Sequence, residues 1–213
     1  MDTYVNDLSK MALALTSAQM AKDNAVKEYG VGEEVALHFL GWTPERLSVV
    51  CQMQAHVTRL APNEKFERCS KMTSMIRRFW GATSITMVSE GYCSKDTSKT
   101  KNMDLAAAFA DKNLPVFECI SVSHASINKD GGITPVSMVA APFTVNLGKT
   151  VEWHDVLVYP DKAEEHISQR KYPTMLRKSL DEPVADLDNL SLDQIGDMRQ
   201  DIDNLGFLVQ DIQ

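Results

Sequence analysis

Two long strand-like runs around a glycine-containing turn constrain the fold of this chain more than any other feature. Residues 116–127, VFECISVSHASI, follow Pro115 and are rich in β-branched and apolar side chains. The turn NKDGG joins them to ITPVSMVAAPFTV at residues 133–145. Such runs, joined by a short loop in which glycine accepts positive φ, are typical of a β-hairpin. We therefore expect a sheet to organise the chain.

Four further runs predict strands and three predict helices. The strand predictions are VALHFLGW and RLSVVCQMQ on either side of TPE, then SITMVSEGYC and VEWHDVLVYP. The helix predictions are residues 3 to about 27, residues 62–80 with an apolar stripe at 3/4 spacing, and NMDLAAAFADKN. The fold class that fits is α+β, with one mixed, mostly antiparallel sheet of about five to six strands and two to three helices packed on it.

Charge divides the chain unevenly. The net charge is −7, and residues 181–213 alone hold nine acids and one base, whereas residues 59–101 hold nine bases and four acids. Residues 161–190 are charged and interrupted by Pro173 and Pro183. We therefore predict an α+β core at residues 1–160, a charged connector at 161–190 and an acidic amphipathic helix at 191–213. Charge asymmetry of this kind bears on partners rather than on fold.

The C-terminal stretch IGDMRQDIDNLGFLVQDI has an apolar residue at every a and d position of a heptad pattern. These residues are Ile195, Met198, Ile202, Leu205, Val209 and Ile212. An isolated helix of this length is marginal in water, so it needs a partner surface. That surface is a second copy of the chain, its own body over the basic helix 62–80, or the groove of another protein. We expect self-association. The acidic polar face argues against a lipid surface.

Four residues are candidates for catalysis, although no motif supports them. Cys93 follows a predicted strand, and Glu118, His124 and His154 lie in predicted strands. Glu118 and His124 share a face but are roughly 20 Å apart along it, too far for a direct acid–base pair. Nucleotide-binding glycine motifs, zinc-protease motifs and the nucleophile elbow are missing from the sequence. We therefore expect a binding protein without catalytic activity. The alternative is an enzyme or small-ligand sensor with a sheet-edge pocket built from these four residues.

Two Cys–His spacings invite a test for zinc. Cys51 precedes His56, and Cys119 precedes His124, each by five residues. Side chains alternate faces along a strand, so an odd separation points each pair to opposite sides. We expect no metal site and no cofactor. The four cysteines form no C-x-x-C pair, which predicts free thiols in a reducing compartment.

A basic stripe on the predicted helix 62–80 offers a second alternative. Lys65, Arg68, Lys71 and Arg78 lie beside its apolar face and could contact phosphates, which makes nucleic-acid binding a further hypothesis. Glu64 and Glu67 on the same helix dilute this charge. A solvated helix face is the favoured interpretation.

The stretch SEGYCS…LAAAFADKNLPVFECISVSHA…GGITPVSMVAAPF, within about residues 88–158, resembles small uncharacterised α+β proteins encoded by tailed phages. The resemblance lies in layout: a strand, a short helix, then a proline-led strand containing Glu118. It implies a host-cytoplasm or virion setting and a structural or accessory role, including interference with a host factor. It transfers no catalytic residue. The N-terminus lacks a basic segment, and no apolar run reaches 18 residues, so we expect neither a signal peptide nor a membrane span.

Overall fold

The computed structural model describes residues 2–30, 35–100, 103–147, 149–159 and 171–212. Within these residues the fold is α+β with seven α-helices and eight strands. The helices are α1 (Asp2–Tyr29), α2 (Ala55–Thr58), α3 (Pro62–Trp80), α4 (Thr97–Thr100), α5 (Leu105–Ala108), α6 (Lys171–Leu180) and α7 (Leu192–Leu205). The strands are β1 (His38–Trp42), β2 (Leu47–Met53), β3 (Ser84–Ser94), β4 (Val116–Ser126), β5 (Ser137–Asn146), β6 (Thr150–Trp153), β7 (Leu157–Tyr159) and β8 (Phe207–Asp211).

The sheet is mostly antiparallel, as expected, but its eight strands exceed the five to six that were predicted. Its order is β6-β5-β4-β3-β1-β2-β8, and β7 also pairs with β5. One extra strand arises because the run predicted as a single strand over residues 151–160 is two strands. In this region Phe143 pairs with Trp153 and Ala140 pairs with Leu157. The pairs are three residues apart on β5 but four residues apart on the strand run opposite it. A bulge therefore divides the run. The other extra strand is β8.

The chain divides into two compact units. The first contains the described residues of 1–35, 88–123 and 138–160. Its helix α1 ends at Gly30, whose φ of 93° suits glycine. The buried face of α1 is apolar except for Lys10 and Lys22. The ammonium of Lys22 lies 2.8 Å from Glu90 Oε1, and Glu90 Oε2 accepts from the Val35 N–H. This pairing makes a buried lysine tolerable in the core.

The second unit contains the described residues of 36–87, 124–137 and 161–213. The β1–β2 hairpin packs closely against α3. A Cβ on Gly41 would lie 2.5 Å from Ile76 of α3 and 2.7 Å from Val49 of β2, so only glycine allows this approach. Helix α6 packs on α3, where the Thr73 and Ser179 hydroxyls are 2.7 Å apart. Of the predicted connector, residues 161–170 lie outside the described residues. In the described part of the predicted connector, residues 171–180 form α6.

Helix α3 has the predicted bounds and buries the predicted stripe at Cys69, Met72 and Ile76. The polar segment that follows β3 contains the short helix α4. In the described part of the chain, no helix is long and apolar enough to cross a membrane.

Candidate functional site

Helix α7 begins at the residue that the sequence indicated. Ser191 Oγ accepts a hydrogen bond from the Gln194 N–H at 3.2 Å, and Gln194 Oε1 accepts from the Ser191 N–H at 2.8 Å. This reciprocal capping box satisfies backbone donors that a helix start leaves unpaired. Asp193 in the first turn adds a favourable charge at the positive end of the helix dipole. The start of the helix is thus fixed by its own sequence.

The predicted end of the helix is wrong. Gly206 has φ 77° and terminates α7 after Leu205, so the helix does not continue to Ile212. A Cβ at residue 206 would overlap Val57 and lie 2.9 Å from His56 Nε2. Only glycine combines this conformation with this close approach. Gly206 therefore packs closely against α2, at a position through which the sequence pattern predicted that the helix would continue.

After Gly206 the chain forms β8, which pairs antiparallel with β2. Val209 lies opposite Cys51, and the Ile212 N–H donates to the Ser48 carbonyl at 2.9 Å. Val209 and Ile212 are therefore sheet residues and not heptad positions. The packing of the segment on its own body was one of the three possibilities that the sequence left open.

The remaining apolar residues of α7 become more buried along the helix. Leu192 is 86% exposed and Ile195 is 37% exposed, whereas Leu205 is only 7% exposed. Met198 and Ile202, between them, are half-buried. We call Leu192, Ile195, Met198 and Ile202 the α7 strip. The first two turns of the helix present apolar side chains to solvent, while the last turn is held in the core.

The last turn of α7 is also tied to the basic helix α3. Arg68 Nη1 donates to the Asn204 carbonyl at 2.8 Å, which satisfies an acceptor that the helix end leaves unpaired. Beside this bond, a groove of about 440 Å³ runs between the two helices. Its lining includes Arg68, Lys71 and Arg78 from the predicted phosphate-contact stripe, and Asp201 from α7.

The charges in this groove largely neutralise one another. Glu64 lies 3.3 Å from Arg68 and Glu67 lies 3.6 Å from Lys71, each four residues earlier on α3. With Asp201, the groove holds three carboxylates against three cations. A surface with nearly equal numbers of positive and negative side chains attracts phosphates weakly, because counterion release requires a net positive face. The nucleic-acid hypothesis stays a prediction, and Arg68 has a structural role.

Three of the four residues proposed for catalysis, Cys93, Glu118 and His154, lie in the first unit. Cys93 is a buried residue of β3 and interacts with the thiol of Cys119. Glu118 points to the opposite face of β4 from Cys119, because neighbouring strand residues alternate. His154 Nε2 lies 2.9 Å from the Thr144 hydroxyl, and its ring packs edge-on against Phe117.

His124 belongs to the second unit and is held in its core. Its Nδ1 lies 2.7 Å from the Thr86 hydroxyl, which accepts from the Trp42 indole N–H at 3.0 Å. The Thr86 hydroxyl can therefore bond the Trp42 indole and His124 Nδ1 at the same time. This buried chain of hydrogen bonds positions Trp42 and His124 against each other. The enzyme alternative stays a prediction.

The two candidate zinc pairs differ in where their residues lie. Cys51 lies in β2 and His56 in the short helix α2, whereas Cys119 and His124 both lie in β4. Among the described residues, no group of three or more His, Cys, Asp or Glu side chains is arranged to hold a metal ion.

Compared with protein-family models, with curated proteins and with solved structures, the chain shows no significant match. Its function is therefore argued from its own residues.

Two features of the site were missed by sequence reasoning, although one had a signal. A glycine just after the last helical position, followed by the apolar residues FLV, is the pattern of a helix C-terminus followed by a strand, and Gly206 stands in that place. The contact of Cys93 with Cys119 had no local signal, because the two residues are far apart in sequence.

Proposed function

We propose that the protein is a binding protein without catalytic activity of its own, and that it presents the α7 strip to another protein. The observation that carries this proposal is the exposure of Leu192 and Ile195 on a helix whose other end is fixed in the second unit. Apolar side chains exposed on a rigid, capped helix are suited to bind a partner with little loss of conformational entropy.

The charge around the strip indicates the chemistry of that partner. Helix α7 carries the carboxylates of Asp193, Asp197, Asp201 and Asp203 and the single base Arg199. Two such helices side by side would bring like charges together, which costs free energy at an interface. A basic, amphipathic segment offers apolar contacts and the opposite charge. We therefore propose a basic amphipathic helix of another protein as the partner.

Self-association, the partner expected from the sequence, has less support on this surface. Of the six seam positions, Val209 lies in β8, Ile212 bonds the Ser48 carbonyl just after it, and Leu205 is already buried within the second unit. Three seam positions remain, which is fewer than a stable coiled coil uses. A second copy is therefore an outcome of the test rather than the proposal. A phage setting, with a structural or accessory role, stays a prediction.

The test measures binding of a synthetic basic amphipathic helix of Leu and Lys to the full chain by calorimetry. A scrambled peptide of the same composition, without an apolar face, is the peptide control. We expect the double variant Leu192→Ser/Ile195→Ser to weaken binding of the amphipathic peptide by about tenfold or more, which is about 1.4 kcal/mol. Leu208→Ser is the matched protein control, because Leu208 is also exposed but lies on β8.

Light scattering after size exclusion completes the test. If the wild-type chain is a dimer that the double variant converts to a monomer, the strip binds a second copy and the proposed partner is wrong. Equal binding of both peptides, or an unchanged affinity in the double variant, would remove the strip as a binding surface.

A further inference from the structure

Two of the four cysteines meet across neighbouring strands of the first unit. The Lys95 N–H donates to the Pro115 carbonyl at 3.1 Å, which sets the antiparallel register of β3 and β4 at this end. In that register Cys93 lies opposite Phe117, and Cys119 lies one diagonal step along β4. Phe117 and Cys119 share a face because they are two residues apart. Cys93 and Cys119 therefore point to the same side of the sheet.

The two thiols are in contact and enclosed. Cys93 and Cys119 are each 2% exposed and form one cluster with Ala140, against which Leu157 and Tyr159 pack. Both are free thiols, and their side chains pack together in this buried cluster. The sulfurs are thus placed for a reaction with each other.

The surroundings favour ionisation of one thiol of this pair. The hydrogen bond from Cys119 lowers the pKa of Cys93, and the positive charge of Lys95 acts in the same direction. The same hydrogen bond, together with burial, raises the pKa of Cys119. The ammonium of Lys95 is held nearby, 4.8 Å from the Phe117 ring centre. Cys93 is therefore the nucleophile of the pair and Cys119 the resolving thiol.

The other two cysteines provide an internal contrast. Burial raises the pKa of Cys51 to about 12 and that of Cys69 to about 12. Cys51 lies in β2 and Cys69 in α3, both in the core of the second unit. Thiols without a stabilised thiolate form react slowly with oxidants. Among the four cysteines, we therefore expect rapid reaction with an oxidant only at Cys93 and Cys119.

We propose that Cys93 and Cys119 are a reversible redox site, which a hydroperoxide converts from two thiols to one disulfide bond. The Cys93 sulfur attacks a peroxide oxygen, so that an S–O bond forms, the O–O bond breaks and the first water leaves. The Cys119 sulfur then attacks the resulting sulfenic acid; the S–S bond forms and the S–O bond breaks. The hydroxyl that leaves Cys93 takes up the proton of the Cys119 thiol and departs as the second water. Two electrons pass from the thiols to hydrogen peroxide, which becomes two waters.

The structure favours a small oxidant over a bulky disulfide. The Ser89 and Ser121 hydroxyls, 2.9 Å apart, show that the same register continues along the strands. Gly91 is therefore opposite Cys119, and a Cβ built on Gly91 would meet nothing within 4 Å. The position beside Gly91 is therefore open, and a small oxidant such as hydrogen peroxide needs less room there than a bulky disulfide.

The experiment treats the reduced full chain with hydrogen peroxide, quenches in acid, and alkylates in denaturant with N-ethylmaleimide. The reduced chain has four thiols to label, and we expect two labels after oxidation, with a mass loss of about 2 Da from the lost hydrogens. Peptide mapping without reduction should join the segment containing Cys93 to the one containing Cys119. Dithiothreitol should restore all four labels.

Variants distinguish the pair from the other thiols. We expect Cys93→Ser to slow loss of labelling by about tenfold or more, and Cys119→Ser to stop at a sulfenic acid on Cys93 that dimedone traps. The double variant Cys51→Ser/Cys69→Ser should react like the wild type. Oxidation of Cys51 or Cys69 at the same rate, a different linkage, or direct passage of Cys93 to sulfinic acid in the wild-type chain would overturn the proposal. The wild-type mapping decides it even if a variant does not fold.

Discussion

The two ends of α7 carry the same apolar spacing but lie in opposite environments. Around Leu192 the side chains are exposed and the helix is held by its own capping box. Around Leu205 the side chain is buried, Arg68 closes the helix end, and β8 extends the sheet. An apolar spacing in a sequence thus predicts side chains that are to be buried, but it does not identify the surface that buries them. One end is covered by the chain itself, and the other is exposed among the described residues.

The two glycines of this region show the same contrast. Gly196 lies inside α7, and a Cβ there would meet nothing within 4 Å. Gly206 has positive φ, and a Cβ there would overlap Val57. One glycine weakens the helix without a packing reason, whereas the other is required by its neighbours. Substitutions at the two positions should therefore change stability in opposite directions.

The largest expected effect is that of Gly206→Ala. We expect the free energy of unfolding to fall by about 3 kcal/mol or more, because the left-handed conformation and the overlap with Val57 both oppose a side chain. Urea unfolding followed by circular dichroism measures the change. Gly196→Ala is the matched control and should raise the free energy by about 0.5–1 kcal/mol. If both substitutions change stability in the same direction, the anchoring role of Gly206 is wrong.

Leu205→Ala tests the buried end of α7 directly. We expect a loss of about 2–3 kcal/mol, because a buried leucine is truncated in the last turn of α7. Hydrogen exchange should locate the change, with faster exchange of the β8 amides in the variant than in the wild type. A loss below about 1 kcal/mol would show that β8 pairing alone holds this end.

Ser191→Ala tests the cap at the exposed end. Loss of the hydrogen bond to the Gln194 N–H should lower the free energy of unfolding by about 1 kcal/mol, unless the first turn frays without unfolding the rest. Ser191→Asp, which keeps an acceptor at this position, is the control and should retain stability. Exchange rates of the first amides of α7 report fraying directly.

The smallest effect on stability belongs to the double variant Leu192→Ser/Ile195→Ser. Both side chains are exposed, so we expect a change within about 0.5 kcal/mol despite the loss of peptide binding proposed above. Thermal unfolding measures it. A loss of several kcal/mol would mean that these residues pack within the second unit and are not available to a partner.

Much of the fold was predictable because its signals are local. The bounds of α3 follow from Pro62 and the 3/4 apolar stripe, and the hairpin signature NKDGG reflects the conformational freedom of glycine. The start of α7 at Ser191 follows from a capping pattern four residues long. The number of strands was underestimated, because a bulge divides one run and because β8 was interpreted as helix.

The candidate site was predictable only in part. The residues Leu192–Leu205 do form an amphipathic helix, but which of its apolar side chains stay exposed depends on Arg68, which is 136 residues from Asn204. The buried Lys22 was not anticipated either, because its partner Glu90 is 68 residues away. Burial of a charge is decided by such distant partners and not by neighbours in sequence.

The sequence by itself determined the α+β class, the helix and strand propensities and the acidic character of the C-terminal segment. These depend on side-chain period, capping and turn residues, all of which act over a few positions. The tertiary structure alone decided that the last residues form a strand beside β2 and that Cys93 meets Cys119. Each of these results from contact between residues far apart in the chain, where burial and pairing outweigh local preference.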